Sequence, residues 1–302
     1  MSNGGHAASR LVLGTAQLGM VYGIANRSGK PDPGTAFAII ETAYEGGVKE
    51  FDTAQAYGES ERVLGRVFQE LGITKDVRVT SKLDPRRFPL NESSLRKCVE
   101  ESLEKLKIDQ LEAFLLHRED MLDVLDNGAV EALRGLLDGG YVRNLGVSVY
   151  SPQRAIQALE SDIFGVVHLP SNILDRRFAD AGIFGMADTL KKRIYVRSAF
   201  LQGLILMDIG EVPQGLASVK PVLEDLDRRA GNFGLTRQAL ALMYLRDRFG
   251  NAKVIFGAEA PEQVKQNTKY WKQEAPSGFV EELESVVPEL DGSILDPSRW
   301  FH

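Results

Sequence analysis

Eight short apolar, β-rich runs recur along this chain, and longer stretches of helical periodicity lie between them. The runs cover residues 10–14, 48–51, 77–81, 111–116, 142–148, 164–169, 193–198 and 252–256. Most are nearly continuous in apolar character, as strands buried on both faces should be. Strand–helix alternation repeated eight times, without a low-complexity linker, predicts an α/β fold built as one domain over residues 1–302. The architecture it points to is a (β/α)8 barrel, the TIM barrel. An open doubly wound sheet is the rival, and it normally carries a glycine-rich phosphate turn after its first strand. Here that segment reads LGTAQLGMVYG, and Gly14 and Gly19 stand five apart, which is not the GxGxxG spacing.

The helices have readable ends. Asp32-Pro33 offers an N-cap followed by proline at the first helical position, and Gly46-Gly47 offers a stop. Asn91 is placed to cap a helix in which Leu95, Cys98, Val99, Leu103 and Leu106 recur at helical spacing. Val63, Leu64, Val67, Phe68 and Leu71 form a similar stripe, Gly139-Gly140 ends a helix, and Pro261 opens one. The connection before the last run is the longest. Its two helical patterns, near 217–231 and 235–249, predict one extra helix before strand eight. A last helix near 277–287 and a tail through Pro297, Trp300 and Phe301 follow, and residues 1–9 read as a flexible lead-in.

Composition narrows the function classes. Net charge is -6, so no global basic field draws nucleic acid or anionic lipid. The longest apolar runs are too short to cross a bilayer, and MSNGGHAASR lacks a signal-length apolar stretch, so a cytoplasmic location is expected. Cys98 is the only cysteine, which excludes an intrachain disulfide or a thiolate cluster, and it sits on an apolar helix face as a small hydrophobe. No cluster has metal-ligand spacing and no GxSxG is present.

In a barrel of this kind the active site lies where the strands end. The first polar residues after the runs are Asp52 with Tyr57, Ser81-Lys82, His117, Ser148, His168 with Ser171-Asn172, Arg197-Ser198 and Gly257-Ala258. Taken singly, each of these types is more often structural. A tyrosine packs with its hydroxyl in water, a lysine sits on a solvated face, and a histidine hydrogen-bonds locally. Their convergence on one rim is what matters. Lys82 at the end of an apolar strand needs a carboxylate if it is buried, and Asp52 on the neighbouring strand is positioned to supply one. A phenol beside an ammonium is a general acid for an oxygen gaining negative charge, and a neutral imidazole can orient that oxygen. A carbonyl accepting hydride fits that description. No side chain donates hydride, so a nicotinamide cofactor has to be imported.

These motifs resemble the aldo-keto reductase superfamily, in particular its bacterial members. DTAQAYGESERVLG is similar to that family's Asp-Thr-Ala…Tyr-Gly signature, and TSKL and LLH match its lysine and histidine strand ends. LGVS, VRSAFLQGL and IFGAEAPEQVKQN resemble its later cofactor-binding segments, so the likeness runs from the first strand to Asn267. The resemblance implies that Tyr57 is the proton donor, that Lys82 lowers its pKa, that Asp52 partners the lysine, and that His117 positions the carbonyl. Thr15 and Asp52 would border the nicotinamide, and Ser148 would hold its carboxamide. Ser198 and Phe200 would contact the pyrophosphate, and Gly257, Ala258, Gln263 and Asn267 the adenosine end. The chain departs from the family at Val149, commonly asparagine. It departs at His168, commonly glutamine, which keeps a ring nitrogen for the carboxamide. Arg197 replaces an aromatic residue and offers a guanidinium plane to stack instead. The slot that often binds the cofactor's 2′-phosphate holds Glu259, with Lys265 and Lys269 beyond it. Family habit implies NADPH, and Glu259 keeps NADH open.

The expected function is NAD(P)H-dependent reduction of an aldehyde or ketone, with sugar-like carbonyls among the candidates, by a cytoplasmic oxidoreductase that engages neither nucleic acid nor membrane. A cofactor-binding regulatory subunit with little turnover is the alternative. A lysine Schiff-base lyase at Lys82 is disfavoured, because pairing with Asp52 keeps the amine charged. Arg86, Arg87 and Arg118 near the rim raise the possibility of an anionic or polar substrate.

Overall fold

The computed structural model describes residues 10–87 and 90–300. The expected lead-in, residues 1–9, and the last two tail residues lie outside the described residues. Eight parallel strands close into a barrel in sequence order. They are β1 (Leu11–Gly14), β2 (Glu50–Asp52), β3 (Arg78–Leu83), β4 (Ala113–Leu116), β5 (Leu145–Ser148), β6 (Phe164–Pro170), β7 (Arg193–Arg197) and β8 (Lys253–Gly257). The register Leu11↔Val254 through Gly14↔Gly257 joins the last strand to the first. Closure leaves no exposed sheet edge.

The main helices around the barrel are α1 (Pro33–Glu45), α2 (Ser60–Glu70), α3 (Glu92–Leu106), α4 (Asn127–Asp138), α5 (Pro152–Glu160), α6 (Ile183–Thr189), α7 (Lys220–Asn232), α8 (Arg237–Arg248), α9 (Pro261–Lys272) and α10 (Phe279–Val286). Their ends carry the chemistry that the sequence displays. Asp32 accepts hydrogen bonds from the Gly34 and Thr35 amides at the start of α1. Asn91 and Ser94 form a reciprocal capping box on α3. Gly140, at φ 70°, turns the chain after α4 into the left-handed region that glycine tolerates. The extra helix expected before strand eight is present, because α7 and α8 both lie between β7 and β8. The tail after α10 carries short helical turns at Gly292–Leu295 and Pro297–Arg299.

Two apolar layers hold the barrel. The larger lies between strands and helices; a smaller interior cluster joins Val12, Ala113, Leu115, Val166, Tyr195 and Ile255. The N-terminal mouth is closed by charge. Glu50, buried, accepts from the Tyr195 hydroxyl and the Lys253 ammonium, with Arg78 Nε 3.7 Å away. Arg193 pairs with Glu112 beside it at 2.6 Å. These ion pairs at the closed end tie together the strands whose other ends carry the site.

Candidate active site

The segment after β2 is pinned so that Tyr57 faces into the barrel mouth. The Thr53 amide bonds to Thr80 O at 2.8 Å and the Gln55 amide to Lys82 O at 3.1 Å, which extends the β2–β3 ladder past Asp52. Three buried hydroxyls lock β2 to β1: Thr53 Oγ1 donates to Ser60 Oγ, Ser60 Oγ to Thr15 Oγ1, and Thr15 Oγ1 to the Asp52 carbonyl. Gln55 spans to α3 through the Cys98 carbonyl and Ser102. Gly58 adopts φ 55°, and a Cβ there would stand 2.5 Å from the Gly19 carbonyl oxygen. Glu61 stands in the first turn of α2. It is buried, accepts from Ser81 Oγ at 2.7 Å and lies 3.6 Å from Lys105, so it ties α2 to β3 and α3.

Lys82 Nζ donates to Asp52 Oδ1 at 2.7 Å and to the Thr53 carbonyl at 2.8 Å. It also lies 5.0 Å from the centre of the Tyr57 ring. The His117 ring meets the Tyr57 ring edge-on, centroids 5.6 Å apart. Asp52, Tyr57, Lys82 and His117 all face one cleft of about 610 Å³. Burial pushes the Lys82 ammonium down and the Asp52 carboxyl up, and their mutual attraction works against both. Burial and the Lys82 and Arg197 charges push His117 down to about 3, so its imidazole is neutral. Tyr57 differs from the expectation that Lys82 lowers it. Burial, first, and the Asp52 carboxylate push the phenol up, against a smaller pull downward from the Arg197 charge. The phenolic proton is therefore firmly held.

The cofactor candidates mostly share this cleft. Thr15, Ser148, Arg197, Ser198, Phe200, Gly257, Ala258, Gln263 and Asn267 all line it. Arg197 donates to the Val149 carbonyl at 3.1 Å and its guanidinium lies 4.2 Å from the centre of the Tyr150 ring. Ser198 sits at φ 61°, held there by Asn172 Nδ2 donating to its carbonyl. Leu201 and Gln202 are also left-handed, a concentration of unfavourable backbone typical of binding loops. The Gln202 carbonyl accepts from the Ile24 amide, which fastens the loop after β1 to the loop after β7.

His168 is the exception. It is fully buried, does not line the cleft, stacks on Tyr195 with centroids 4.9 Å apart, and places Nδ1 3.7 Å from Asp52 Oδ2. Neither ring nitrogen has a hydrogen-bond partner, nor does Asp52 Oδ2. It lies beneath the Asp52–Lys82 pair rather than at the carboxamide position that the resemblance implies. The rim arginines are also spoken for: Arg86 pairs with Asp84, Arg87 with Glu101, and Arg118 with Asp120. Lining residues that the sequence reading did not single out include Gln17, Tyr150, Gln238 and the tail segment Asp296–Ser298.

The cleft fits an elongated ligand. The Tyr57 quartet comes from the β2–β4 side of the barrel mouth and residues 257–267 from β8 and the helix after it. Gly257 is bare backbone over which the Gln17 side chain lies, 2.4 Å from where a Cβ would stand. Arg197 Nε is buried without a protein partner. These features suit a dinucleotide laid across the barrel mouth.

The sequence matches the Aldo/keto reductase family over residues 10–288. The chain belongs to that family. It is an NAD(P)H-dependent oxidoreductase of the (β/α)8 type. The aldo-keto reductase YhdN of Bacillus subtilis is 30% identical over 190 residues, 59% of this chain and 54% of that protein. L-galactose dehydrogenase of Arabidopsis thaliana is 29% identical over 315 residues, which cover 99% of this chain and 94% of that one. In fold, the holo form of aldo-keto reductase AKR11C1 from Bacillus halodurans superposes with a TM-score of 0.76 at 20% identity, covering 96% of this chain and 94% of that chain. Among the described residues, no helix is long and apolar enough to cross a membrane, and no group of three His, Cys, Asp or Glu side chains is arranged to hold a metal ion.

Proposed function

We propose that this reductase converts a small, polar, uncharged aldehyde or ketone to the alcohol, with Tyr57 delivering the proton. The observation that carries the reading is the convergence of Tyr57, His117 and the Asp52–Lys82 pair in one cleft, at the separations given above.

Ser148, Arg197, Ser198, Phe200, Gln263 and Asn267 would hold the nicotinamide dinucleotide. When bound, it supplies the hydride. The remaining work belongs to the chain. Neutral His117 offers a ring nitrogen to orient the carbonyl oxygen, and it adds no positive charge that would compete with Lys82. The Tyr57 hydroxyl gives its proton to that oxygen as negative charge develops there; an alkoxide is a far stronger base than a phenolate, so a raised phenol still transfers. The positive charge of Lys82, held by Asp52 and Thr53 O, lies next to the phenolate that remains. The Tyr22, Tyr57 and Tyr150 hydroxyls around the mouth suit a hydroxylated, sugar-like substrate. An anionic substrate is not favoured, because the rim arginines are already paired with carboxylates. The full-length likeness to an L-galactose dehydrogenase points the same way.

Oxidation of reduced nicotinamide followed at its absorbance, against a panel of sugar-like and aromatic aldehydes, tests this reading. Turnover with neutral hydroxyaldehydes supports it. Tight cofactor binding with no turnover over the panel favours a regulatory subunit instead.

A further inference from the structure

A dinucleotide with its reacting ring beside Tyr57 must place its adenosine ribose at the far end of the cleft, beyond β8. We infer that this end selects NADH over NADPH and that Glu259 is the selecting residue; the inference rests on the nicotinamide reading above and deepens it.

Glu259 follows Gly257 and Ala258 directly and lines the cleft. Its amide donates to Gln263 Oε1 at 2.7 Å, which fixes the backbone at the start of α9. Burial pushes its carboxyl up, and a hydrogen bond from Ser28 works the other way. Asp296 also lines the cleft, held by the Ser298 amide and hydroxyl, with Arg177 in electrostatic reach. The lysine and arginine among the lining residues, Lys82 and Arg197, both belong to the Tyr57 end. Lys265 and Lys269 are exposed on α9 and do not line the cleft. Arg299 approaches Gly292 instead.

A 2′-phosphate brings close to two negative charges. Beside Glu259 it would meet a carboxylate with no lysine or arginine of α9 lining the cleft to answer it, which Coulomb's law penalises at any plausible dielectric. The N-terminus of α9 does not reverse the sign, since Glu259 and Glu262 already stand there and answer its dipole. A free 2′-hydroxyl is the opposite case. It donates to a carboxylate in a charge-assisted hydrogen bond, the chemistry by which an acidic residue marks an NAD site.

Titration of the purified protein with NADH and with NADPH, followed by quenching of its tryptophan fluorescence, reads the selection without turnover. The expected result is NADH bound at least about tenfold more tightly. Glu259→Gln should narrow the ratio and Glu259→Arg should invert it, while Glu131→Gln, on the exposed face of α4 away from the cleft, should leave it unchanged. NADPH bound as tightly as NADH by the wild type, or a ratio unmoved in Glu259→Arg, overturns the inference. Binding of neither nucleotide overturns the nicotinamide reading, and the inference with it.

Discussion

Gly19 and Tyr57 meet through bare backbone: a Cβ on Gly19 would stand 1.8 Å from the Tyr57 carbonyl oxygen and 2.6 Å from the Ser60 amide. The turn after β1 therefore seats the turn that carries the phenol. Backbone on both sides cannot yield as a flexible side chain does. Gly19→Ala should displace Tyr57 and destabilise the fold by about 1–3 kcal/mol or more. Its turnover should fall further than its nucleotide affinity, because Tyr57 stands at the reacting end. A variant with wild-type melting and wild-type rate would show that the contact is not needed.

The Asp52–Lys82 pair is almost fully buried, so removing one partner leaves the other uncompensated. Lys82→Met should cost about 3–5 kcal/mol, and Asp52→Asn a comparable amount. The double variant should recover part of that loss, since neither charge is then stranded. A urea double-mutant cycle checks this, and strictly additive losses would contradict an ion pair.

Two histidines give the fold an acid-sensitive window. Burial, with help from Lys82 and Arg197, holds His117 at about 3 and His168 well below its ordinary value. In the unfolded chain both titrate near about 6.5. Below that pH the unfolded state binds more protons, so stability is lost as pH falls from about 6.5 toward about 3. His168→Gln should flatten part of the slope, and comparison with the wild type separates the histidine from the carboxylates, Asp52 included. Parallel slopes in the two proteins would rule out His168 as a contributor.

At the closed end of the barrel, Glu50 joins Tyr195, Lys253 and Arg78. Glu50→Gln should lower stability by about 2–3 kcal/mol, less than a fully buried pair because Lys253 is partly solvated. Nucleotide affinity should not change, since the cleft opens at the opposite end. A large affinity loss at unchanged stability would mean the two ends are coupled.

Much of this was legible because the signals are local. Eight apolar runs gave eight strands, and Asp32, Asn91, Gly139-Gly140 and Pro261 marked helix ends that the structure reproduces. Barrel geometry then brings strand-end residues together, which is why Asp52, Lys82 and His117 were readable. His168 misleads for a physical reason. Its strand runs on to Pro170, so the residue lies within β6 and points inward rather than standing at its rim. Tyr150 was within reach of the same rule, two residues past Ser148. Gln238 and Asp296–Ser298 were not, because they come from the extra helix and the tail, whose packing over the mouth leaves no periodic trace.

The central claim is that the Tyr57 hydroxyl protonates the substrate oxygen. Tyr57→Phe removes that one oxygen and keeps the ring against His117 and Lys82. Single-turnover reduction of the best aldehyde from the panel, measured beside nucleotide affinity in the same variant, tests it most directly. The predicted result is a rate lower by about 10²–10⁴-fold with the nucleotide Kd essentially unchanged. A variant that reduces the aldehyde at the wild-type rate would contradict the assignment.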